Sequence, residues 1–240
     1  MRNRCSVIAG NTRICKFMTD VHETIKDIKS KFRLFMNGMI SQSMRDKGMD
    51  YKLNFGIEYP RIREIALAYE PDHDLAQTLW KENIRECKIM AGLLQPTESF
   101  CREIADIWIE DMRYPELAEY TVMNLFQRLP YASEVVFPWM ADEREYFQVC
   151  GFLLMARLLM KGMQLNERAE LEFLDQAFTA LESELPQVQK AAATALRKFG
   201  LQSRTNLKKI SKQLGILSRS AKPEVRALAE EIKNEIEYCL

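Results

Sequence analysis

Two similar phrases near the C-terminus decide the fold: PQVQKAAATALRKF (186–199) and PEVRALAEEIKNEI (223–236). They superpose with an offset of 37 residues, which places Val188 on Val225. In both, apolar residues recur every three or four positions, the spacing of an amphipathic helix. Each phrase also opens on a proline, and proline is favoured in the first turn of a helix. The chain therefore ends in two copies of one helical unit.

Weaker echoes of the same phrase begin near Ile84, Leu117 and Phe147, so that successive copies are 33, 30, 41 and 37 residues apart. These intervals lie within the range of paired-helix repeats. The order proline, valine, polar residue and small residues is close to the second helix of a HEAT repeat. Because one helix pair cannot bury its apolar face alone, such pairs must stack. We predict an all-α fold, a right-handed α-solenoid of HEAT-like antiparallel helix pairs (an alpha-alpha superhelix); a compact helical bundle is the alternative.

The rest of the chain also favours helices, and its eight prolines stand where helices should begin. Residues 41–58 look irregular. Residues 1–17 are expected to be a disordered tail or an upstream start, and residues 18–240 a single HEAT-like repeat domain. The predicted helices cover about 20–39, 60–69, 72–82, 83–94, 97–112, 115–129, 131–140, 143–161, 167–183, 186–199, 204–217 and 223–238. The predicted core residues are Ile84, Leu117, Phe126, Phe147, Leu153, Val188, Leu196, Val225 and Leu228.

Composition excludes several protein classes. Hydrophobic residues make up 47% and charged residues 28% of the 240 residues, ordinary values for a soluble globular chain. The longest apolar stretch, Val149–Met160, has 12 residues and contains Arg157, whereas a bilayer requires about 20. Six cysteines without a CxxC do not make a disulfide framework. We expect a cytoplasmic protein with reduced thiols and no membrane partner.

Known catalytic motifs are missing from the sequence, which has no GxxxxGK[ST], GxGxxG, GxSxG or HExxH. With only two histidines, we expect neither a metal site nor a cofactor, and any catalysis would depend on carboxylates. The densest acidic segment is EDMRYPELAE (110–119), in which Glu116 and Glu119 share a helix face. Acidic residues at a helix start also serve as caps, which is the structural alternative.

Charge is neutral overall but uneven along the chain. Residues 1–35 hold eight Lys/Arg against three Asp/Glu, a net of +5, and residues 187–240 hold eleven against five, a net of +6. The middle, 36–186, therefore carries −11. Residues 200–222 contain six cations and no acid, a composition that suits a nucleic-acid backbone. A solvated polar helix face is the alternative.

Five segments together resemble the AlkD-like DNA alkylation repair proteins, the HEAT-like repeat DNA glycosylase family, over roughly residues 20–238. The first segment, residues 54–66, contains the family's phrase of glycine, proline and arginine. The second segment, residues 75–94, contains the family's helix that ends in LW and the next helix, which opens with an acidic or amide residue. The segments are NFGIEYPRIREIA (54–66), LAQTLWKENIRECKIMAGLL (75–94), EDMRYPELAEYTVMNLF (110–126), FPWMADEREYFQVCGFLL (137–154) and VQKAAATALRKF (188–199).

This resemblance implies a glycosylase that releases N3- and N7-alkylated purines from duplex DNA held in a basic concave cleft. The family's catalytic aspartate falls on Glu119 here, with Glu116 as a second candidate carboxylate. Its two tryptophans fall on Pro115 and Thr194, and its arginine on Val149. Since three of these four positions lack the family's chemistry, the resemblance implies that excision activity is weak, altered or absent.

The expected partner is duplex DNA, bound through its backbone. Arg197 matches a basic position of the family's DNA-facing helix, and Tyr114 or Tyr146 would supply a stacking ring in place of a tryptophan. A non-catalytic HEAT-repeat scaffold for a protein partner, bound by the acidic middle, is the alternative. The predicted DNA-binding residues are Lys190, Arg197, Arg204, Lys208, Lys209, Lys212, Arg113, Tyr114 and Arg144.

Overall fold

The computed structural model describes the backbone of residues 7–238 and the side chains of residues 20–236 and 238. Thirteen α-helices make up this part of the chain, where the β-structure is a single isolated bridge between Leu53 and Ile84. The all-α prediction is thereby confirmed. The helices are α1 (Val7–Leu34), α2 (Gly38–Asp46), α3 (Tyr59–Ala66), α4 (His73–Lys81), α5 (Arg85–Leu94), α6 (Arg102–Glu110), α7 (Pro115–Asn124), α8 (Ala132–Met140), α9 (Glu145–Met160), α10 (Glu167–Leu181), α11 (Pro186–Gly200), α12 (Arg204–Leu217) and α13 (Pro223–Tyr238).

Contacts divide the chain into two compact units, Met1–Phe100 and Cys101–Leu240. The predicted single domain over 18–240 and the predicted tail over 1–17 stay predictions, because residues 1–6 and the side chains of 7–19 lie outside the described residues. Within the described helices, none is both long and apolar enough to cross a membrane.

The first unit packs α1 against α3 and α4, and α5 against α3 and α4. Phe32 of α1 is fully buried, and its ring centroid lies 5.6 Å from that of Phe55. Next to Phe55, Gly56 has φ +71°, a conformation that side-chain-bearing residues rarely adopt. A Cβ at this position would lie 2.2 Å from the backbone oxygen of Asn37. Glycine therefore allows the loop before α3 to approach α2.

The second unit repeats one arrangement of helix pairs. Helices α8, α10 and α12 each pack against the helix that follows, and we call these three the first helices. A second layer is formed by every other helix, in which α7 packs against α9, α9 against α11 and α11 against α13. We call these four helices the second-helix layer. The two repeated phrases at the C-terminus are α11 and α13, both in this layer. Stacking buries the valines that the repeat aligns, Val188 and Val225.

Seven of the nine predicted core residues are buried: Ile84, Leu117, Phe126, Phe147, Val188, Leu196 and Val225. The prediction is wrong for Leu153 and Leu228, which are half-buried. Leu153 lies one turn before the half-buried Arg157, and Leu228 one turn before the exposed Glu231. Each leucine therefore stands at the edge of the buried face of its helix.

The prediction that residues 41–58 are irregular is wrong for residues 41–46, which belong to α2. The side chain of Asn37 caps this helix, since its Oδ1 accepts hydrogen bonds from the backbone N–H of Met39 at 3.1 Å and of Ile40 at 3.2 Å. The remainder of the region, from residue 47 to 58, contains no helix. The polar composition of α2 hid this short helix in the sequence, because its start depends on the Asn37 cap.

Two further helix starts differ from the prediction. Pro138 lies inside α8, not at a helix start, and because it has no N–H it removes one hydrogen bond to the preceding turn of this helix. The helix predicted from residue 97 begins at Arg102 instead. Residues 97–100 form a turn, in which the Phe100 N–H donates to the Thr97 carbonyl.

Candidate nucleic-acid interface

Four charged side chains of the second-helix layer lie close enough to interact electrostatically, two of them exposed and two half-buried. Pro115 opens α7 and places Glu116 and Glu119 one turn apart on the same face. Arg157 of α9 and Lys190 of α11 both interact electrostatically with the Glu119 carboxylate. Three neighbouring helices thus contribute to one cluster, which we call the Glu119 cluster: Glu116, Glu119, Arg157 and Lys190.

The balance of charges in this cluster favours the neutral form of Glu119. Partial burial raises the pKa of the Glu119 carboxyl above its usual value, and the negative charge of Glu116 raises it further. Arg157 and Lys190 act in the opposite direction but do not cancel the effect. Arg157 and Lys190 therefore stand beside a carboxyl that is protonated more easily than an ordinary glutamate.

The other positions that the family resemblance singled out have no reactive side chain. Val149 is 2% exposed and belongs to the core of the second unit. Pro115 is the first residue of α7, and the Thr194 hydroxyl donates to the Lys190 carbonyl at 2.8 Å. Sequence reasoning missed Arg157, which lies two turns after Val149 on α9. The available signal was the lone cation in an apolar run of 12 residues.

Arg197 is placed in the second-helix layer as expected, but its charge is already compensated. Its Nη2 lies 2.9 Å from Glu231 Oε1, and its Nε pairs with Glu235, both on α13. The Arg197 side chain is only 21% exposed. A backbone phosphate would have to compete with two carboxylates for this guanidinium.

The cations of α12 lie on a first helix, apart from the Glu119 cluster. Lys209 forms an ion pair with Glu170 of α10, which is also a first helix. Arg204, Lys208 and Lys212 are exposed and follow one another at intervals of four residues, so they line one face of α12. The structure therefore places the predicted DNA-binding residues of α11 and those of α12 on different layers.

The predicted residues at the helix starts form a third group. Arg144 stands just before α9, where its Nη2 lies 2.8 Å from Asp142 Oδ2 and its Nη1 pairs with Glu110. Its guanidinium carbon lies 3.6 Å from the centroid of the Phe147 ring. Tyr114 directly precedes α7, with Arg113 exposed beside it. Arg144 is thus held by two carboxylates and a ring.

Tyr146 lies in the first turn of α9, close to Tyr114. Burial raises the pKa of the Tyr146 hydroxyl to about 12, and the neighbouring Tyr114 adds to the effect. Two half-buried phenol rings therefore stand where the second-helix layer begins.

Comparisons with known proteins agree with this architecture. The model of a family described as DNA alkylation repair enzyme matches residues 28–234. A solved structure described as a new family of proteins related to the HEAT-like repeat DNA glycosylases, with affinity for branched DNA structures, aligns with a TM-score of 0.72. At 16% identity it covers 89% of this chain and 94% of its own, so the two share a fold. An engineered protein aligns with a TM-score of 0.39 at 18% identity, covering 75% of this chain and 84% of its own. A search of curated proteins finds no match.

Proposed function

This chain belongs to the DNA alkylation repair enzyme family, and from that premise we propose that it binds the backbone of duplex DNA on the second-helix layer of its second unit. The observation that supports this proposal is the Glu119 cluster, in which the half-buried Arg157 of α9 and the exposed Lys190 of α11 both interact with the Glu119 carboxylate. The proposed backbone contacts are Arg157 and Lys190, joined by Arg113 at the start of the layer.

Electrostatics favour this layer over the first helices for a polyanion. Each lysine or arginine that neutralises a phosphate releases counterions, which adds affinity independent of sequence. On α10, by contrast, the exposed Glu172 and Asp175 would repel DNA that lay across the first helices. On the second-helix layer the acids beside Arg157 and Lys190 are Glu116 and Glu119, and the pKa of Glu119 is raised, so this carboxyl is protonated more easily than an ordinary one.

Lys190→Ala is expected to weaken binding of a short duplex and to lower the salt dependence of log K by about one unit, because one phosphate contact is lost. Fluorescence anisotropy between 50 and 200 mM salt, the range over which such binding changes most visibly, measures both effects. Lys208→Ala on α12 removes the same charge from a first helix and serves as the matched control. A larger loss for Lys208→Ala, or affinity that does not change with salt, would contradict the proposed surface.

A four-way DNA junction belongs in the same titration, because a relative of the same fold is described as having affinity for branched DNA structures. Preference for the junction over the duplex would identify the shape that the second-helix layer accepts. Equal affinity would indicate contacts with the backbone alone.

We also propose that excision of alkylated purines by this chain is weak, altered or absent. Glu119 extends one methylene further than an aspartate, and a misplacement of about 1 Å can cost ~100-fold in rate. Val149 and Thr194 provide neither a cation nor a large aromatic surface for the lesion.

Incubation of alkylated duplex DNA with the protein, followed by detection of free 7-methylguanine, tests this proposal. We expect little or no release from wild type. Where release is detected, Glu119→Gln should abolish it, because a neutral amide cannot stabilise a developing sugar cation. Release that survives in Glu119→Gln would show that this carboxyl is not the catalytic group.

A second candidate function is a scaffold for a protein partner, and one observation favours it. A cleft between the start of α9 and the end of α10 is lined by Asp142, Glu143, Asp175, Glu182 and Glu184. This surface is unsuited to DNA and suits a basic protein segment. A stoichiometric protein recovered with the chain, with no DNA retained, would favour the scaffold.

A further inference from the structure

Two first helices of the second unit, α10 and α12, lie side by side and run in the same direction. Near their starts, Glu170 pairs with Lys209, and just beyond their ends Lys222 pairs with Glu184. Between them lies an open groove of about 390 Å³. The groove is lined by Leu171, Leu174, Asp175, Phe178, Thr179, Glu182, Lys209, Gln213 and Leu217.

The groove and its borders expose apolar side chains. Leu171 is 63% exposed on α10, and Ile216 is 57% exposed on α12. Within the groove, Leu174 and Phe178 are only half-buried. Apolar side chains grouped in this way along a helix pair mark an interaction surface more often than scattered ones do.

The two helices bordering the groove carry opposite charge. Residues 167–184 hold six Asp/Glu and one Arg, a net of −5, whereas residues 204–222 hold six Lys/Arg and no acid, a net of +6. Ion pairs join these segments at Glu170–Lys209 and Glu184–Lys222. Exposed charges of both signs therefore remain at the surface on either side of an apolar groove, among them Glu172, Asp175, Lys208 and Lys212.

We propose that this face binds a second copy of the same chain. A two-fold axis running along the groove places the acidic α10 of each copy over the basic α12 of the other, so one symmetric contact satisfies both charge excesses. The same operation places the exposed Leu171 of both copies at the end of the contact where the helices start, and the exposed Ile216 of both copies at the opposite end. DNA fits this face poorly because α10 would repel it, whereas a second copy complements both helices at once.

The size of the face predicts a weak and salt-sensitive dimer. Helices of 15 and 14 residues are about 22 Å long, so two of them cover less than the ~800 Å² per partner of a standard interface. Because the attraction between exposed charges is screened by salt, we expect the dimer to dissociate as the ionic strength rises.

Sedimentation velocity of the full chain over a concentration series tests the proposal. The average mass should rise from 28.0 kDa towards twice that value with concentration, and it should fall again in high salt. The double variants Lys208→Glu/Lys212→Glu and Glu172→Lys/Asp175→Lys should each be monomeric, because each gives the four exposed positions 172, 175, 208 and 212 a single sign of charge.

An equal mixture of these two variants should restore the dimer, because each copy then presents the charge that the other lacks. Arg33→Glu/Arg63→Glu, which reverses two exposed charges in the first unit, should leave the wild-type dimer intact. Circular dichroism verifies that each variant is folded.

Three outcomes would overturn the proposal. The first is a wild-type mass of 28.0 kDa at every concentration. The second is a mixture of the two variants that stays monomeric. The third is a Lys208→Glu/Lys212→Glu variant that remains dimeric but loses affinity for duplex DNA, since α12 would then be a DNA-binding helix. Neither of the first two results depends on whether the second-helix layer binds DNA, so the two proposals fail independently.

Discussion

Glu86→Ala should lower the free energy of unfolding by about 3–5 kcal/mol, the cost typical of breaking a buried ion pair. Glu86 is fully buried, and its carboxylate accepts hydrogen bonds from the backbone N–H of Phe55 at 3.1 Å and of Ile57 at 3.2 Å. Arg85 Nη1 lies 3.1 Å from the same carboxylate and also donates to the Ile57 carbonyl. Alanine would leave two backbone donors and a 2% exposed guanidinium without this acceptor.

Urea unfolding followed by circular dichroism measures this effect. Glu64→Ala is the matched control, since Glu64 pairs with Arg61 on the exposed surface of α3 and should cost less than about 1 kcal/mol. A loss below that figure for Glu86→Ala would mean that the loop before α3 does not depend on the buried carboxylate.

Gly151→Ala is expected to have the largest effect in the second unit, about 1–3 kcal/mol or more from overpacking. A Cβ on Gly151 would lie 2.5 Å from the backbone nitrogen of Met140 and 2.9 Å from the carbonyl carbon of Trp139. Since backbone cannot rotate away as a side chain does, α9 would have to move from α8. That movement would also disturb the buried ring pair of Phe126 and Trp139, whose centroids lie 5.2 Å apart.

Gly215→Ala provides a control that should change the free energy of unfolding in the opposite direction. Gly215 lies inside α12, and nothing stands within 4 Å of a Cβ built there. Alanine should therefore stabilise the protein by about 0.5–1 kcal/mol through its higher helix propensity. Thermal unfolding of both variants gives the comparison, and equal shifts for the two would contradict a close approach of α8 and α9.

Local signals in the sequence predicted most of the helices. The spacing of apolar residues and the first-turn prolines located α7, α11 and α13, because both signals act within one or two turns. The same reasoning missed α2, whose start depends on Asn37 rather than on an apolar pattern. It also predicted a helix start at Pro138, because the sequence alone does not distinguish a proline at the start of a helix from one near its end.

The candidate site was predicted less completely. Glu119 and Lys190 were named from their positions, but Arg157 was hidden in an apolar run. Arg197 was expected to be available to DNA, yet it pairs with Glu231 and Glu235, more than 30 residues further along the chain. An ion pair between different helices has no fixed spacing in sequence, so these contacts could not be anticipated.

The sequence by itself determined that the described chain is helical, that its helices repeat as pairs, and to which family it belongs. These properties follow from periodicity and residue type along a continuous stretch. Only the tertiary structure decided which charges share a surface: Glu119 with Arg157 and Lys190 on one layer, and the α12 cations beside the acidic α10 on the other. The physical reason is that packing between distant helices, not spacing along the chain, sets the neighbours of a long charged side chain.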